Sequence, residues 1–165
     1  MERLWAPWRI AYVGGAGRGE GCILCQALAS SDDRKALVLL RRPLAFLILN
    51  AYPYAPGHLM VALTRHVGTL ADATPEELGQ AMAVVQAAIR ALDRGYHPDG
   101  YNVGVNQGRV AGAGVLGHLH IHVVPRWNGD TNFMPVLGDV RVLPESLDAT
   151  YDRLSAALRS GEHPG

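Results

Sequence analysis

Cysteine is scarce in this chain, and a surplus of either charge is missing altogether. Of 165 residues only Cys22 and Cys25 are cysteines, and they form one Cys-x-x-Cys pair. That excludes a disulfide framework; in a reducing compartment such a pair points to metal binding or redox chemistry. Lys plus Arg balances Asp plus Glu at 15 each. Without a basic surplus the chain lacks the surface that a nucleic-acid polymer requires, while small phosphorylated ligands remain open to it. No apolar run is long enough to span a membrane. Residues 1–10 carry Trp5 and Trp8 among charges at Glu2, Arg3 and Arg9, with none of the apolar stretch of a secretory signal behind them. The expectation is a cytoplasmic protein with neither a membrane nor a nucleic-acid polymer as partner. With 48% hydrophobic residues, 165 positions suffice for one domain with a sizeable core but not for two. Residues 1–165 are accordingly read as a single domain, led by an aromatic and glycine-rich arm over 1–21. No internal repeat or low-complexity segment interrupts it.

What the chain does have is an unusual use of histidine. Residues 118–123 alternate His118, His120 and His122 with Leu119, Ile121 and Val123, and Val124 and Pro125 follow. Period-2 alternation marks a half-buried strand, whose side chains point to opposite faces in turn. One face is therefore core and the other is all imidazole. A lone histidine on an apolar element is usually a satisfied core residue. Three in register, from seven in the chain, are another matter. Stacking ionisable rings depresses their pKa values through burial and like-charge repulsion, which stability alone gives no reason to do.

The remaining punctuation outlines an α+β domain on a mainly antiparallel sheet of about five strands, with one long helix and a C-terminal helix. Residues 22–30 predict a short helix or knuckle. Apolar runs over 36–40 and 44–49 flank Arg41-Arg42-Pro43 as a strand–turn–strand hairpin. A loop fixed by Pro53 and Pro56 delivers His58 to the start of a strand over 58–63. Thr74 as N-cap, Pro75 at the first helical position and Glu77 three residues after the cap start the long helix. Leu78, Met82, Val85, Ile89 and Leu92 give it an apolar face, and Gly95 is expected to end it. A strand over 101–105 then leads through the glycine-rich loop 106–114 into the histidine strand. Residues 144–158 predict the last helix.

Two constellations carry chemistry. In the loop, amides of Gly108, Gly112 and Gly114 can approach a phosphate closely because no Cβ intervenes, with Asn106 or Gln107 as side-chain donors. A histidine beside such a site can attack phosphorus, and His120, in the middle, is best placed, with His118 and His122 orienting it, donating to phosphate or holding a metal. The cysteine pair is the second. Structural zinc takes four ligands, of which Cys22 and Cys25 supply two; His66 and one strand histidine are candidates for the others. Two buried thiols, or a redox pair, are the alternatives.

At this point the residues resemble a known family, the histidine triad (HIT) proteins, whose His-x-His-x-His-x-x signature is met over 118–124. The likeness includes Asn50 ahead of Pro56-Gly57-His58, and the loop before the triad. Within the family the chain resembles the diadenosine tetraphosphate phosphorylase branch, through Arg3-Leu4-Trp5 with Pro7 and Arg9, residues 49–60, Asn102-Val103-Gly104, and 118–133 with Pro125-Arg126-Trp127 and Gly129-Asp130. The resemblance implies a HIT-like fold and cleavage of dinucleoside polyphosphates through a nucleotidyl-histidine intermediate on His120. His122 and His58 would contact phosphate oxygens and assist the leaving group, and a backbone carbonyl would hold the His120 tautomer. Asn50 would meet ribose, Asn106, Gly112 and Gly114 phosphate, and Trp127 the nucleotide. Cys22, Cys25, His66 and His118 would hold a structural zinc ion. A homodimer paired through the long helix and a sheet edge is implied as well. The chain departs from the family at Ala113-Gly114-Val115, where relatives usually present a hydroxyl or amide side chain to phosphate; here backbone amides would have to serve.

Other readings follow from the same residues. The domain could cleave nucleoside phosphoramidates or other nucleotide conjugates, by hydrolysis in place of phosphorolysis. It could bind nucleotides without reaction. Alternatively the three triad histidines could together ligate a catalytic metal with an open position.

Overall fold

Among the described residues, a five-stranded antiparallel sheet, with the fifth strand of the chain inserted between the third and the fourth, carries three α-helices. The computed structural model describes residues 21–130 and 145–161. The aromatic arm with Trp5 and Trp8, and residues 131–133 of the stretch that resembles the phosphorylase branch, lie outside the described residues. In chain order the elements are α1 (Ile23–Ala29), β1 (Val38–Arg41), β2 (Ala45–Leu49), β3 (Leu59–Leu63), α2 (Pro75–Tyr96), β4 (Gly100–Gly104), a 3-10 turn (Arg109–Ala111), β5 (His120–Arg126) and α3 (Leu147–Ser160). The fold is α+β, as several short strands with one long helix between them predict.

Every residue of β2 and β3 is buried, because the two strands are covered on both faces. On one face, Leu47, Leu49, Leu59, Val61, Leu119, Ile121 and Val123 pack against Ala81, Val84, Val85, Ala88 and Leu92 of α2 and Leu154 of α3. On the other, Phe46, Ile48, Met60 and Ala62 meet Leu24 of α1. Full burial of a Leu, Val or Phe side chain contributes about 1.5–3 kcal/mol, so both faces anchor the middle of the sheet. Pairing of Met60 with His122 and of Ala62 with His120 fixes the β3–β5 register. A slip of one residue would turn the imidazoles into the α2 core.

Helix α2 begins as its sequence predicts. Thr74 accepts from the Glu77 amide and Glu77 accepts from the Thr74 amide, a complete capping box with Pro75 behind it. Its end differs. Gly95 lies inside the helix, and His97 in the left-handed conformation (φ 47°) closes it. The reason is packing: Tyr96, one residue beyond, packs on the core, and Arg153 of α3 donates to the Gly95 carbonyl at 3.3 Å, so the last turn is held in the helix. The buried face also differs. It runs through Ala81, Val84, Val85, Ala88, Ala91 and Leu92, while Met82 is 50% exposed. Small alanines let the helix sit close on the sheet, which rotates Met82 outward.

Candidate active site

The three triad histidines share one face but not one surrounding. Helix α1, capped by Cys22, brings the Cys-x-x-Cys pair against the N-terminal end of the row. Arg41 holds that helix by donating to the carbonyls of Leu28, Ala27 and Ser30 at its C-terminal end, and to Asp33. His66 reaches the same point from the loop after β3. There Arg65 forms a two-point bond with Glu77 at 2.8 Å on each oxygen, tying the chain beside His66 to the α2 capping box. Arg65 and the Thr74 amide hold the Glu77 carboxyl down at about 2.

The ligand atoms of Cys22, Cys25, His66 and His118 all lie within 4.8 Å of one another. Cys22 Sγ is 3.3 Å from His118 Nδ1, Cys25 Sγ is 3.4 Å from the same nitrogen, and Cys25 Sγ is 3.3 Å from His66 Nδ1. A tetrahedral zinc ion, bonded at about 2.3 Å to sulfur and about 2.0–2.1 Å to nitrogen, holds its ligand atoms about 3.3–3.8 Å apart. The four residues fit such an ion in chemistry and in spacing. His118 is oriented for it: its buried Nε2–H donates to the Leu63 carbonyl at 2.7 Å, which leaves the Nδ1 lone pair facing the thiols. Burial holds His118 below the usual imidazole range, with the charges of His66 and His120 acting the same way. Burial pushes the Cys25 thiol up, and so does the adjacent Cys22. A bound cation would displace those protons.

The next two histidines use their nitrogens differently. His120 Nδ1–H donates to the His118 carbonyl at 2.8 Å, so its lone pair is on Nε2. Burial lowers its pKa against the opposing pull of that hydrogen bond, which favours the neutral ring. His122 and His58 form a pair, Nδ1 to Nε2 at 3.0 Å. The direction of that bond follows from the far side of His58. The Tyr54 amide donates to His58 Nδ1 at 3.0 Å, and the Asn50 Nδ2 group lies 3.3 Å from the same nitrogen. Asn50 Oδ1 is occupied by the Tyr52 amide at 2.9 Å, which fixes the amide orientation. His58 Nδ1 is therefore an acceptor, its Nε2–H donates to His122 Nδ1, and the His122 proton is on Nε2. The Tyr54 ring lies 4.5 Å from that of His58, and the His58 and His122 rings are 5.2 Å apart. Gly57, with φ 76°, permits this turn; a Cβ there would meet Leu92 at 2.9 Å.

The three triad histidines thus do not converge on one metal. His118 belongs to the cysteine cluster, while the other two are bonded to a carbonyl and to His58, which sets aside the triad as a common metal site. Sequence reasoning did not find Tyr54 or the Leu63 carbonyl; the first is signalled only by its place in the Pro53–Pro56 turn, and the second not at all. Gln107 is a tether, its Oε1 accepting from the Leu70 amide at 2.8 Å. Asn106 is half-buried after β4, Gly112 is left-handed at φ 83°, and Gly114 lines a cleft beside His66. Trp127, beyond β5, meets Tyr96 edge-on at 6.5 Å.

Residues 32–129 match the HIT domain family. The chain belongs to that family. The AP-4-A phosphorylase of Mycobacterium tuberculosis is 41% identical over 157 residues, covering 91% of this chain and 80% of that one, so the likeness extends to that branch. The asymmetrical bis(5'-nucleosyl)-tetraphosphatase of Schizosaccharomyces pombe is 32% identical over 93 residues, 56% of this chain and 50% of that protein. Among solved structures, a Zn-bound histidine triad family protein from Mycobacterium smegmatis superposes with a TM-score of 0.70 at 28% identity, covering 86% of this chain and 96% of its own. Among the described residues, no helix is long and apolar enough to cross a membrane.

Proposed function

We propose that this HIT-family chain is a nucleotidyl transferase that cleaves dinucleoside polyphosphates of the diadenosine tetraphosphate class. The observation that carries the reading is the ordered set of tautomers: a neutral His120 with its lone pair on Nε2, beside a His122 with its proton on Nε2. His120 Nε2 attacks the α-phosphorus, a nitrogen–phosphorus bond forms, and the bond to the leaving phosphate oxygen breaks. The departing oxygen carries away the electron pair as a phosphate anion and accepts a hydrogen bond from His122 Nε2–H, whose ring is held in place by the His58 Nε2–H bond to Nδ1. Inorganic phosphate or water then attacks the same phosphorus and restores His120. Asn50 stands at the His58 end, where the nucleoside is proposed to lie, and loop amides near Gly112 and Gly114 are the proposed phosphate contacts. Cys22, Cys25, His66 and His118 are the proposed zinc ligands. Bound there, zinc would pin α1, the loop after β3 and the start of β5 together, and the ring-nitrogen donors and thiols leave the reacting phosphate to His120 and His122.

Incubation with diadenosine tetraphosphate, with and without inorganic phosphate, tests the proposal. ADP plus ATP formed only with phosphate is the result expected of a phosphorylase; AMP plus ATP in either condition identifies water as the acceptor. Absence of any product, with nucleotide bound, would replace transfer by a binding role. A second copy of this chain is the proposed partner, pairing through the edge strand β4 and helix α2.

A further inference from the structure

The row of imidazoles ends in two unlike spaces. Past His58 is a cavity of about 260 Å³ lined by apolar Leu49, Ala51, Pro53 and Leu147, with Asn50 on its wall. Past His118, between the start of α1 and the glycine-rich loop, is an open cleft of about 330 Å³ bordered by Cys22, His66, Arg109, Gly114 and Gly117. At about 30 Å³ per water, the cleft holds on the order of ten water-sized groups, the scale of a short phosphate chain with its solvent.

The cleft is built for an anion. Among the described residues, no carboxylate lines it, and several guanidinium groups are committed to carboxylates: Arg34 to Asp152, Arg41 to Asp33, Arg65 to Glu77, Arg126 to Asp130 and Arg153 to Glu145. Arg109 is exposed on the cleft wall, and among the described residues no carboxylate or carbonyl accepts from it. On the same wall, and again among the described residues, the amides of Gly114, Val115 and Gly117 have no protein acceptor. Successive unengaged amides beside a fork of guanidinium donors are what phosphate oxygens require. The loop's lack of hydroxyl and amide side chains at residues 113–115 is thus matched by a cation four residues before Ala113.

We propose that this cleft receives the leaving group: Arg109 binds the distal phosphates of the chain released when His120 attacks, and residue 109 sets the preference for polyphosphate conjugates over conjugates with no further phosphate. The proposal rests on the nucleotidyl-transfer reading, with the nucleoside at the Asn50 end and the nucleophile between the two spaces. The test uses the full chain with Arg109→Ala and Arg109→Lys, and titrates inorganic triphosphate and AMP by calorimetry. Arg109→Ala is expected to lower the affinity for triphosphate relative to AMP by about 10- to 100-fold, with Lys recovering part of it. The selectivity ratio in kcat/KM for diadenosine tetraphosphate over adenosine 5'-phosphoramidate should fall by a similar factor. A wild type that does not bind triphosphate, or a relative affinity in Arg109→Ala within twofold of wild type, overturns the proposal. Arg109-dependent triphosphate binding without turnover of either nucleotide refutes transfer, and the leaving-group role with it, while the anion site stands.

Discussion

Two neighbouring members of the histidine row, His118 and His120, use one kind of side chain differently, and the difference is which ring nitrogen the backbone occupies. At His118 the Leu63 carbonyl takes the Nε2 proton, so Nδ1 turns to the cysteines. At His120, two residues on, the His118 carbonyl takes the Nδ1 proton, so Nε2 carries the lone pair. On the proposed reading, metal affinity and nucleophilicity are assigned by carbonyl oxygens, not by the imidazoles: side chains of the same type would become ligand or nucleophile according to a neighbour that no motif spells out.

That contrast can be broken most sharply at the nucleophile. His120→Ala is expected to lower kcat by about ten-thousand-fold or more while metal content per chain stays at the wild-type value, measured by turnover and by metal analysis of the same sample. Loss of metal together with activity would mean that the two ends are one unit. The reverse substitution acts at the other end. Cys25→Ser, with one of four ligands weakened, should lose the metal and lower the thermal midpoint by about 10 °C, at roughly 2–4 °C per kcal/mol for a domain of this size. An unchanged midpoint would mean that the cluster holds no structural ion.

The smallest expected effect tests how the metal end is braced. Glu77, at about 2 in the folded chain, lies well below an unfolded glutamate near 4.3, so its folded pKa is depressed. Such a group stabilises the fold above about pH 4.3 and loses that contribution as pH falls toward 2. Glu77→Gln should therefore be less stable than wild type at pH 6, with the gap closing by pH 2. A gap that is constant with pH, in urea denaturation, would assign the effect to the capping box alone.

Much of this was legible in the residues, and what was not has a common cause. The alternation at 118–123, the Cys22–Cys25 spacing and the Thr74–Pro75–Glu77 start of α2 are local patterns, each governed by strand or helix periodicity or by a cap. Met82 and Gly95 escape sequence reading because the first turns outward only when α2 is pressed on the sheet, and the second stays inside the helix only when Tyr96 packs on the core and Arg153 of α3 bonds the Gly95 carbonyl. The same holds at the site. His58 in the Pro-Gly-His turn is visible in sequence, but the Tyr54 amide that sets its tautomer, and the bond to Asn50, require the turn to close first.

The carbonyl of His118 has one further consequence, for descent. Any residue at position 118 would supply that oxygen, whereas only histidine supplies both the Nδ1 lone pair and the Nε2–H bonded to Leu63. A lineage of this fold can therefore shed the proposed ion, the two thiols and even this imidazole while the ring of His120, two residues later, keeps its orientation. On the proposed reading the metal centre would be an inheritable attachment to the strand, and the reacting histidine a property of the strand's backbone.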